Sequence, residues 1–386
     1  MGSSCEPQSG AVTEFRTEPR EILSLTGIRA AAALAVVAFH FALDLVPESA
    51  WLLHRLVGSG FVAVSFFFVL SGFVLAHHYE PERFQTPHEL RRFWVRRFAR
   101  VYPLYLLSLA VGAAAAWPKS LYELAAPPEA LRLGLQLLLL NAWHHVAMFK
   151  WNWAAWSLSV EAAFYFVFPW LIVALRKLST LRLWLLLAVC WTATFAAPAL
   201  YTALDPDGFG RPFEVHDDAL FAWYLKFFPV HRFPEFIAGL GAGLLYTRRR
   251  GDLSERTAAA TTIAAMVVLL VFLTSKLIPH AYLQAGVLLP VFLAIIRGLA
   301  TPSFVGTAAS WRPLLTLGRA SYAIYILHVP VFSLLAHFDP TMWTVPGRHL
   351  PLYAVVLIAA SLVAHRWIEQ PCRRWLVLSL RARVIT

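Results

Sequence analysis

The sequence of 386 residues contains few charged side chains. Asp, Glu, Lys and Arg make up 14% of it, whereas they make up about 25% of an ordinary soluble protein. Hydrophobic residues account for 59% of the chain, and its mean hydropathy is +0.61. This composition excludes a water-soluble globular fold and indicates a polytopic membrane protein.

The sequence also has little cysteine and lacks the motifs of several common catalytic sites. Cys5, Cys190 and Cys372 are scattered and odd in number, so they give neither a disulfide framework nor a metal-ligand spacing. There is no G-x-S-x-G elbow, no H-E-x-x-H zinc motif and no phosphate-binding glycine loop. We therefore predict no metal site, and any catalysis must depend on histidine, carboxylate and arginine side chains.

The apolar segments predict an all-α bundle of about ten transmembrane helices. A helix needs roughly 17–25 apolar residues to cross a bilayer. Windows of about this length are Ser24–Leu45, Val57–His77, Val101–Trp117, Ser157–Leu175, Leu183–Leu200, Trp223–Tyr246, Thr257–Ser275, Tyr282–Leu299, Leu315–His337 and Leu350–Trp367. The shorter apolar stretch Leu131–Asn141 is predicted to be a re-entrant or interfacial helix.

Basic residues are distributed unequally between the two sides of this predicted bundle. With the N-terminus in the cytoplasm, the inside segments carry 23 of the 33 Lys and Arg residues and the outside segments carry 9, which agrees with the positive-inside rule. The net charge of +11 therefore reflects topology and does not indicate nucleic-acid binding. We predict a disordered cytoplasmic tail over residues 1–21, a transmembrane domain over 22–372 and a basic cytoplasmic tail over 373–386.

The first predicted span carries two ionisable residues on one face. Arg29 and His40 are eleven positions apart, which corresponds to roughly 16 Å along a helix axis. Ionisable residues inside a span are costly and indicate a functional site. The alternative is an arginine that reaches the headgroups and a histidine that packs against a neighbouring helix. Asp44, four positions after His40, is spaced to orient the imidazole.

Five arginines are concentrated in Arg91–Tyr102, a segment that we predict to be a loop before the third span. Arg97 and Arg100 would share a face if the segment were helical. Guanidinium groups bind phosphate oxygens through two parallel hydrogen bonds, so a phosphorylated carrier such as coenzyme A is a candidate ligand. Composition alone favours the alternative, an anchor that binds lipid headgroups.

A carboxylate enters the membrane in the segment Trp156–Phe168. Ser157 and Glu161 are four positions apart and share a helical face. A buried carboxylate needs a partner or a changed pKa. Glu161 is therefore a candidate to orient a histidine or to act as an acid, and a structural pair with an arginine from another span is the alternative.

A second histidine lies in the segment Leu317–Pro330. Ser321, Tyr325 and His328 are spaced to share one face, which is also typical of a contact between helices through small and polar residues. Two pairs of opposite charge at a spacing of three are interpreted as structural: Arg232 with Glu235, and Arg366 with Glu369.

Seven blocks of the sequence resemble, in order, the signature blocks of the membrane acyltransferase 3 family. They read LTGIRAAAALAVVAFH, GFVAVSFFFVLSGFVL, RRFARVYPLY, WSLSVEAAFYFVFP, RFPEFIAGLGAG, LGRASYAIYILHVP and IEQP. The resemblance covers nearly the whole chain, from Ile22 to Pro371. It implies transfer of an acyl group, often acetyl, from acyl-CoA to a hydroxyl of a sugar. Acceptors in the family include surface polysaccharides, peptidoglycan and the sugars of macrolide antibiotics.

The resemblance also implies roles for individual residues. The family's Arg-x10-His pair, its R-x-x-R motif and its W-S-L-S-x-E block match, respectively, Arg29 and His40, Arg97 and Arg100, and Trp156, Ser157 and Glu161. Two positions depart from the family pattern. Thr26 replaces an aspartate that often precedes the arginine, and Ala162 follows Glu161 where a second polar residue is usual.

This interpretation describes an integral-membrane O-acyltransferase of the bacterial cytoplasmic membrane. Acyl-CoA is expected as a co-substrate, with its phosphates on Arg96, Arg97 and Arg100, and no permanently bound cofactor is expected. The catalytic residues predicted are His40 as general base or nucleophile, Glu161 to position His40 or the acceptor, and Arg29 to stabilise charge. Contacts with a carbohydrate or glycosylated acceptor are expected from Trp156, Ser157, Tyr325 and His328.

Two other classes of function stay open at this point. A proton-coupled transporter or flippase also has many spans with buried charges, but it predicts inverted repeats and broken helices at matching positions, and the sequence shows no convincing pair of repeats. A membrane scaffold that binds lipid or glycan without chemistry would have no affinity for coenzyme A.

Overall fold

The computed structural model describes residues 21–119, 127–145, 151–208, 219–249, 253–275 and 277–375, and their regular secondary structure is entirely helical. The helices are α1 (Leu23–Phe41), α2 (Trp51–Gly58), α3 (Val62–His78), α4 (Pro87–Ala115), α5 (Pro127–Leu137), α6 (Trp156–Arg176), α7 (Thr180–Leu204), α8 (Leu220–Phe227), α9 (Pro229–Arg248), α10 (Glu255–Thr274), α11 (His280–Gln284), α12 (Leu289–Ala300), α13 (Phe304–Ala309), α14 (Arg312–Arg319), α15 (Ser321–Phe338), α16 (Thr341–Thr344) and α17 (Pro346–Ala364). A π-helical turn, His365–Glu369, continues α17.

Seven helices within the described residues are long and apolar enough to cross a membrane, namely α1, α4, α6, α7, α10, α15 and α17. The pair α2 and α3, bent by 47°, makes eight if it forms one span. The protein is therefore an all-α membrane protein, as the composition predicts. The remaining two of the ten predicted spans contain α9, which carries charged residues, and α12, which has only 12 residues. The count of ten and the cytoplasmic ends stay predictions.

Helix α4 corrects the prediction of a loop over Arg91–Tyr102. The helix begins at Pro87, and the hydroxyl of Thr86 caps it by accepting a hydrogen bond from the Glu89 N–H at 3.3 Å. This Thr-x-x-Glu arrangement is a helix start signal, and arginine is a strong helix former. The arginine-rich segment therefore forms the first half of the same 29-residue helix that enters the membrane.

The centre of the bundle is a close contact between α3 and α9. A Cβ atom added at Gly72 would overlap the backbone of α9 at Phe236, and one added at Gly239 would overlap the backbone of α3 at Val69. Small residues at such positions let two helix backbones approach in a membrane. Helix α1 packs beside α3 and contacts α14 and α15 on its other side.

The predicted span Tyr282–Leu299 is broken near its start. Gly286 has φ +89° and separates α11 from α12, and a Cβ atom there would overlap the carboxylate of Glu235. Arg232 of α9 donates to the carbonyl of Gln284 at the end of α11 and to the Ser65 hydroxyl at 2.8 Å. Its Nε lies 3.2 Å from Glu235. The predicted structural pair of Arg232 with Glu235 is thus confirmed.

The second predicted pair, Arg366 with Glu369, does not form in the structure. Glu369 accepts a hydrogen bond from His365 Nδ1 at 2.8 Å instead of pairing with Arg366. His365 and Glu369 are four positions apart, and the π-helical turn changes which side chains share a face there. Arg366 is exposed, so the spacing of three between Arg366 and Glu369 does not bring their charges together.

Candidate active site

A cavity of about 920 Å³ lies between α1, α3, α4, α6, α15 and the π-helical turn. Its mouth is at the N-terminal end of α1, beside Glu21 and Arg319, and its inner end is formed by Ser157 and Tyr325. Burial raises the pKa of Glu21, but hydrogen bonds from Arg319 and Thr26 outweigh this effect, and the pKa is lowered overall. Glu21 therefore carries a negative charge at neutral pH.

Arginines from several elements line this cavity. They are Arg29 of α1, Arg96, Arg97 and Arg100 of α4, Arg319 of α14, and Arg373 and Arg374 after the π-helical turn. The carboxylates that line it are Glu21, Glu161 and Glu369. The lining therefore carries more positive than negative charge, as a site for an anionic ligand requires.

Arg97 is held in an aromatic environment on the cavity wall. Its guanidinium donates to the Tyr79 hydroxyl at 2.9 Å and lies 5.4 Å from the Tyr79 ring, 5.8 Å from the Phe93 ring and 5.9 Å from the Tyr165 ring. Aromatic rings at these distances attract the cation and limit its motion. Arg97 is therefore oriented before any ligand binds.

Glu161 lies among the arginines of the cavity. It accepts a hydrogen bond from the Tyr165 hydroxyl at 3.2 Å. Arg100, Arg29 and Arg97 are all close enough to interact with it electrostatically. Glu161 therefore offsets part of the positive charge of the cavity lining.

His40 and His328 form a hydrogen-bonded pair near the inner end of the cavity. His40 Nδ1 lies 3.0 Å from His328 Nε2, and His328 Nδ1 contacts the carbonyl oxygen of Tyr325. His328 is fully buried, whereas His40 is half-buried.

The hydrogen-bond partners fix the tautomers of both rings. A carbonyl oxygen only accepts, so the proton of neutral His328 is on Nδ1 and its Nε2 accepts from His40 Nδ1–H. The Nε2 atom of His40 therefore keeps its lone pair, as a general base or nucleophile requires.

Further contacts surround the histidine pair. The Trp153 ring lies edge-on to His40, with centroids 4.5 Å apart. Tyr353, which is fully buried, donates to the His328 carbonyl at 2.9 Å. The hydroxyls of Tyr325 and Ser157 both donate to the Ala154 carbonyl, at 3.1 and 3.4 Å. The two bonds to Ala154 connect the segment that carries Trp153 with the helices α6 and α15.

The predicted site residues fall into two groups. Arg29, Glu161 and the arginines of α4 line the cavity, and His40 with His328 lies beyond its inner end. Tyr325 lines the cavity and its ring also contacts His328, so it borders both groups, whereas Ser157 lines the cavity.

Three expected contacts differ in the structure. Glu161 was expected to orient His40, but the group that contacts His40 Nδ1 is Nε2 of His328. Glu161 lies instead beside Tyr165 and the arginines. Asp44 is exposed in a 3₁₀ turn after the end of α1. Trp156 is 8% exposed and packs against Phe68, Phe227 and Arg232. Phe68 lines the cavity, but Trp156 itself does not.

Sequence reasoning missed several residues of the site. Tyr79 and Tyr165, which hold Arg97 and Glu161, have no distinguishing spacing because aromatic residues are frequent in this chain. Trp153 precedes the W-S-L-S block by three positions, but no spacing in the sequence connects it with His40. Tyr165 could have been found from its spacing, because residues four positions apart share a helical face and Tyr165 is four positions after Glu161.

The chain is similar to known acyltransferases. Residues 22–366 match the family described as "Acyltransferase domain", acyltransferase 3. The acyltransferase MdmB of Streptomyces mycarofaciens is 30% identical over 376 residues, which cover 92% of each chain. No solved structure matches the chain.

Two further relatives are longer than this chain. The putative peptidoglycan O-acetyltransferase YrhL of Bacillus subtilis and the peptidoglycan O-acetyltransferase OatA of Listeria monocytogenes are each 26% identical, over 384 and 399 residues. The matches cover 92% and 93% of this chain but only 55% and 57% of those relatives. The chain thus spans little more than half of their length.

Proposed function

The chain belongs to the acyltransferase 3 family, and from this membership we propose that it transfers an acetyl group from acetyl-CoA to a hydroxyl of a carbohydrate-containing acceptor. The observation that carries the proposal is the arginine-lined cavity whose inner end lies beside the His40–His328 pair. Acetyl transfer and a carbohydrate acceptor are supported by the peptidoglycan O-acetyltransferases among its relatives.

The lining of the cavity supports coenzyme A as the carrier of the acetyl group. Coenzyme A has a pyrophosphate and a 3′-phosphate, and guanidinium groups match phosphate oxygens with two hydrogen bonds each. Such groups follow one another along the cavity. Three are at the mouth, Arg319, Arg373 and Arg374, and three lie deeper in the wall, Arg96, Arg97 and Arg100. The pantetheine arm would then extend toward Ser157 and Tyr325, which brings the thioester next to His40.

The His40–His328 pair supplies the base for the reaction. His40 Nε2 takes the proton of the acceptor hydroxyl while the hydroxyl oxygen attacks the thioester carbonyl. The carbon–sulfur bond breaks, and the proton passes from His40 to the thiolate of coenzyme A. In the second route that the geometry allows, His40 Nε2 itself attacks the thioester carbonyl and the thiolate of coenzyme A leaves. The acceptor hydroxyl then takes the acetyl group from His40, and its proton passes to the thiolate. Positioned acid–base help of this kind is worth roughly 10²–10⁴-fold in rate.

Transfer of label from radioactive acetyl-CoA tests this function. The protein is purified, reconstituted in lipid nanodiscs and incubated with the labelled donor and a panel of cell-envelope glycans. Wild type should label one of the glycans, and His40→Ala should lose roughly 10²–10⁴-fold of this activity because it lacks the base. Binding of acetyl-CoA should persist in the variant, since the arginines are unchanged.

His337→Ala is the matched control. His337 is exposed at the end of α15, nine positions from His328, and its replacement should leave the transfer rate unchanged. Full activity of His40→Ala would contradict the mechanism. A wild type that neither binds acetyl-CoA nor transfers label would contradict the function and favour the transporter class.

A further inference from the structure

A second cleft, of about 1240 Å³, lies between α7, α9, α10 and α12. It shares no lining residue with the arginine-lined cavity. Helices α7 and α10 form its walls, and α9 and α12 form its floor. Its lining is almost wholly apolar, with Trp184, Leu187, Trp191 and Phe195 from α7, and Leu289, Val291 and Leu293 from α12 among the contributing residues.

The shortness of α12 explains why the cleft exists. Its 12 residues measure about 18 Å, whereas the hydrocarbon core is about 30 Å thick. The buried residues of α12, including Phe292, Ile295 and Ile296, pack inward. The neighbouring helices α7 and α10 have 25 and 20 residues, so they extend past α12 and leave a recess between them.

The charged groups of the cleft lie at one end. Arg249, Arg297 and Thr261 lie where α9 and α12 end and α10 begins. The Arg297 guanidinium donates to the Thr301 hydroxyl at 2.7 Å and to the Arg249 carbonyl at 3.5 Å, so both arginines are at this end. The opposite end is formed by Leu277, Ile278 and Tyr282.

The apolar groove along α7 is about as long as one leaflet of bilayer hydrocarbon is thick. Along α7, its lining extends from Trp184 to Phe195, eleven positions or about 16 Å, and one leaflet of hydrocarbon is about 15 Å thick. Trp184 is 51% exposed and Trp191 is 41% exposed, so the cleft is open on its membrane side. An acyl chain can enter from the bilayer without crossing the protein.

We propose that this cleft binds a phospholipid with an anionic headgroup. One acyl chain occupies the apolar groove, and the phosphate lies between Arg249 and Arg297. Both arginines are at the same end of the bundle as the N-terminus of α1, because Ser24 of α1 donates to the carbonyl of Leu299 near the end of α12. The lipid therefore belongs to the leaflet at the mouth of the arginine-lined cavity, which is predicted to be cytoplasmic. This binding is independent of the proposed acetyl transfer.

Lipid binding by the delipidated protein tests the proposal. Native mass spectrometry compares phosphatidylglycerol with phosphatidylcholine of identical acyl chains. Each basic residue near a membrane surface is worth roughly fivefold in affinity for an anionic lipid, so wild type should prefer phosphatidylglycerol by roughly 25-fold. The double variant Arg249→Gln/Arg297→Gln should lose this preference. Arg256→Gln, an exposed arginine of α10 that does not line the cleft, should keep it.

Filling the groove tests the position of the acyl chain. Ala188 lines the cleft, whereas its neighbour Val189 is 65% exposed and does not line it. Ala188→Trp should therefore abolish tight binding of both lipids, and Val189→Trp should leave it intact. Equal binding of the two lipids by wild type would overturn the proposal. Unchanged phosphatidylglycerol binding by the double arginine variant would also overturn it, even if Ala188→Trp failed to fold.

Discussion

Among individual residues, His328 has the clearest effect on the proposed chemistry. It is fully buried, its Nδ1–H is engaged by the Tyr325 carbonyl, and its Nε2 accepts from His40. Partners of this kind fix the tautomer and the orientation of a functional histidine. We therefore propose that His328 acts through His40 as a positioning residue, whereas the sequence suggested a contact with the acceptor.

Replacement of His328 by leucine or glutamine separates these two roles. Leucine offers no acceptor to His40 Nδ1–H, and we expect kcat to fall by about 10–100-fold, as for other outer partners of a functional histidine. Glutamine offers an amide oxygen and should restore part of the loss. Steady-state kinetics of acetyl transfer, with donor and acceptor varied separately, measures both effects.

The kinetic constant that changes decides between positioning and binding. Replacement of a positioning residue lowers kcat and leaves KM for the acceptor near its wild-type value, because such a residue contacts His40 and not the acceptor. A rise in the acceptor KM with kcat unchanged would show that His328 binds the acceptor. Equal losses in the leucine and glutamine variants would contradict the role of the accepted hydrogen bond.

The sequence identified these residues singly but not as a pair. His40 was predicted because it is an ionisable group inside an apolar span, and His328 because it lies in a similar span. They are 288 positions apart, and helical periodicity predicts which residues share a face of one helix, not which helices meet. The tautomer argument depends on the Tyr325 carbonyl and could only come from the structure.

Among the helices, α4 determines where the positive charge of the cavity lies. Because the segment Arg91–Tyr102 is helical, only part of its arginines point to the cavity. Arg96, Arg97 and Arg100 line it, whereas Arg91 is exposed and Arg92 pairs with Glu89 at 3.3 Å. A loop would not separate the arginines in this way.

Paired substitutions on α4 test whether the cavity binds acetyl-CoA. Arg97→Gln/Arg100→Gln should weaken binding by about 10–100-fold for each lost charge-assisted hydrogen bond. Arg91→Gln/Arg92→Gln removes the same charge from the same helix outside the cavity and should have little effect at physiological ionic strength. Equilibrium binding of acetyl-CoA to the nanodisc-embedded protein measures this. Equal weakening by both pairs would show that only the overall charge matters.

The apolar length of a segment predicted most of the membrane helices but not the break within one of them. Apolar length located α1, α4, α6, α7, α10, α15 and α17, since a long uninterrupted run has few alternatives to a membrane helix. The break at Gly286 was missed because the run Tyr282–Leu299 stays apolar through it. The break is stable because Arg232 binds the freed Gln284 carbonyl, and that contact comes from a different helix.

For the whole molecule, the decisive feature is that the arginine-rich ends of its two cavities lie at the same end of the bundle. The mouth of the arginine-lined cavity and the arginine end of the lipid cleft both lie beside the N-terminus of α1. A broken span with buried charges is also found in transporters. Here Arg232 and Glu235 are occupied with Ser65, Gln284 and each other, which is a structural use.

The orientation of this end relative to the cytoplasm can be measured on α7. Its 25 residues extend about 37 Å, so the segments on its two sides lie on opposite faces of the membrane. Lys177, before α7, and Pro206, after it, are both exposed. Each is replaced by cysteine in a background in which the native cysteines, Cys5, Cys190 and Cys372, are changed to serine.

A membrane-impermeant maleimide should label Pro206→Cys in intact cells and Lys177→Cys only after lysis, as the distribution of basic residues predicts. The serine background without a new cysteine should stay unlabelled under both conditions. The reverse pattern would place the mouth of the cavity outside the cell, where cytosolic acetyl-CoA cannot reach Arg319, Arg97 or Arg100. The proposed donor would then be excluded by topology alone, however well the arginines match its phosphates.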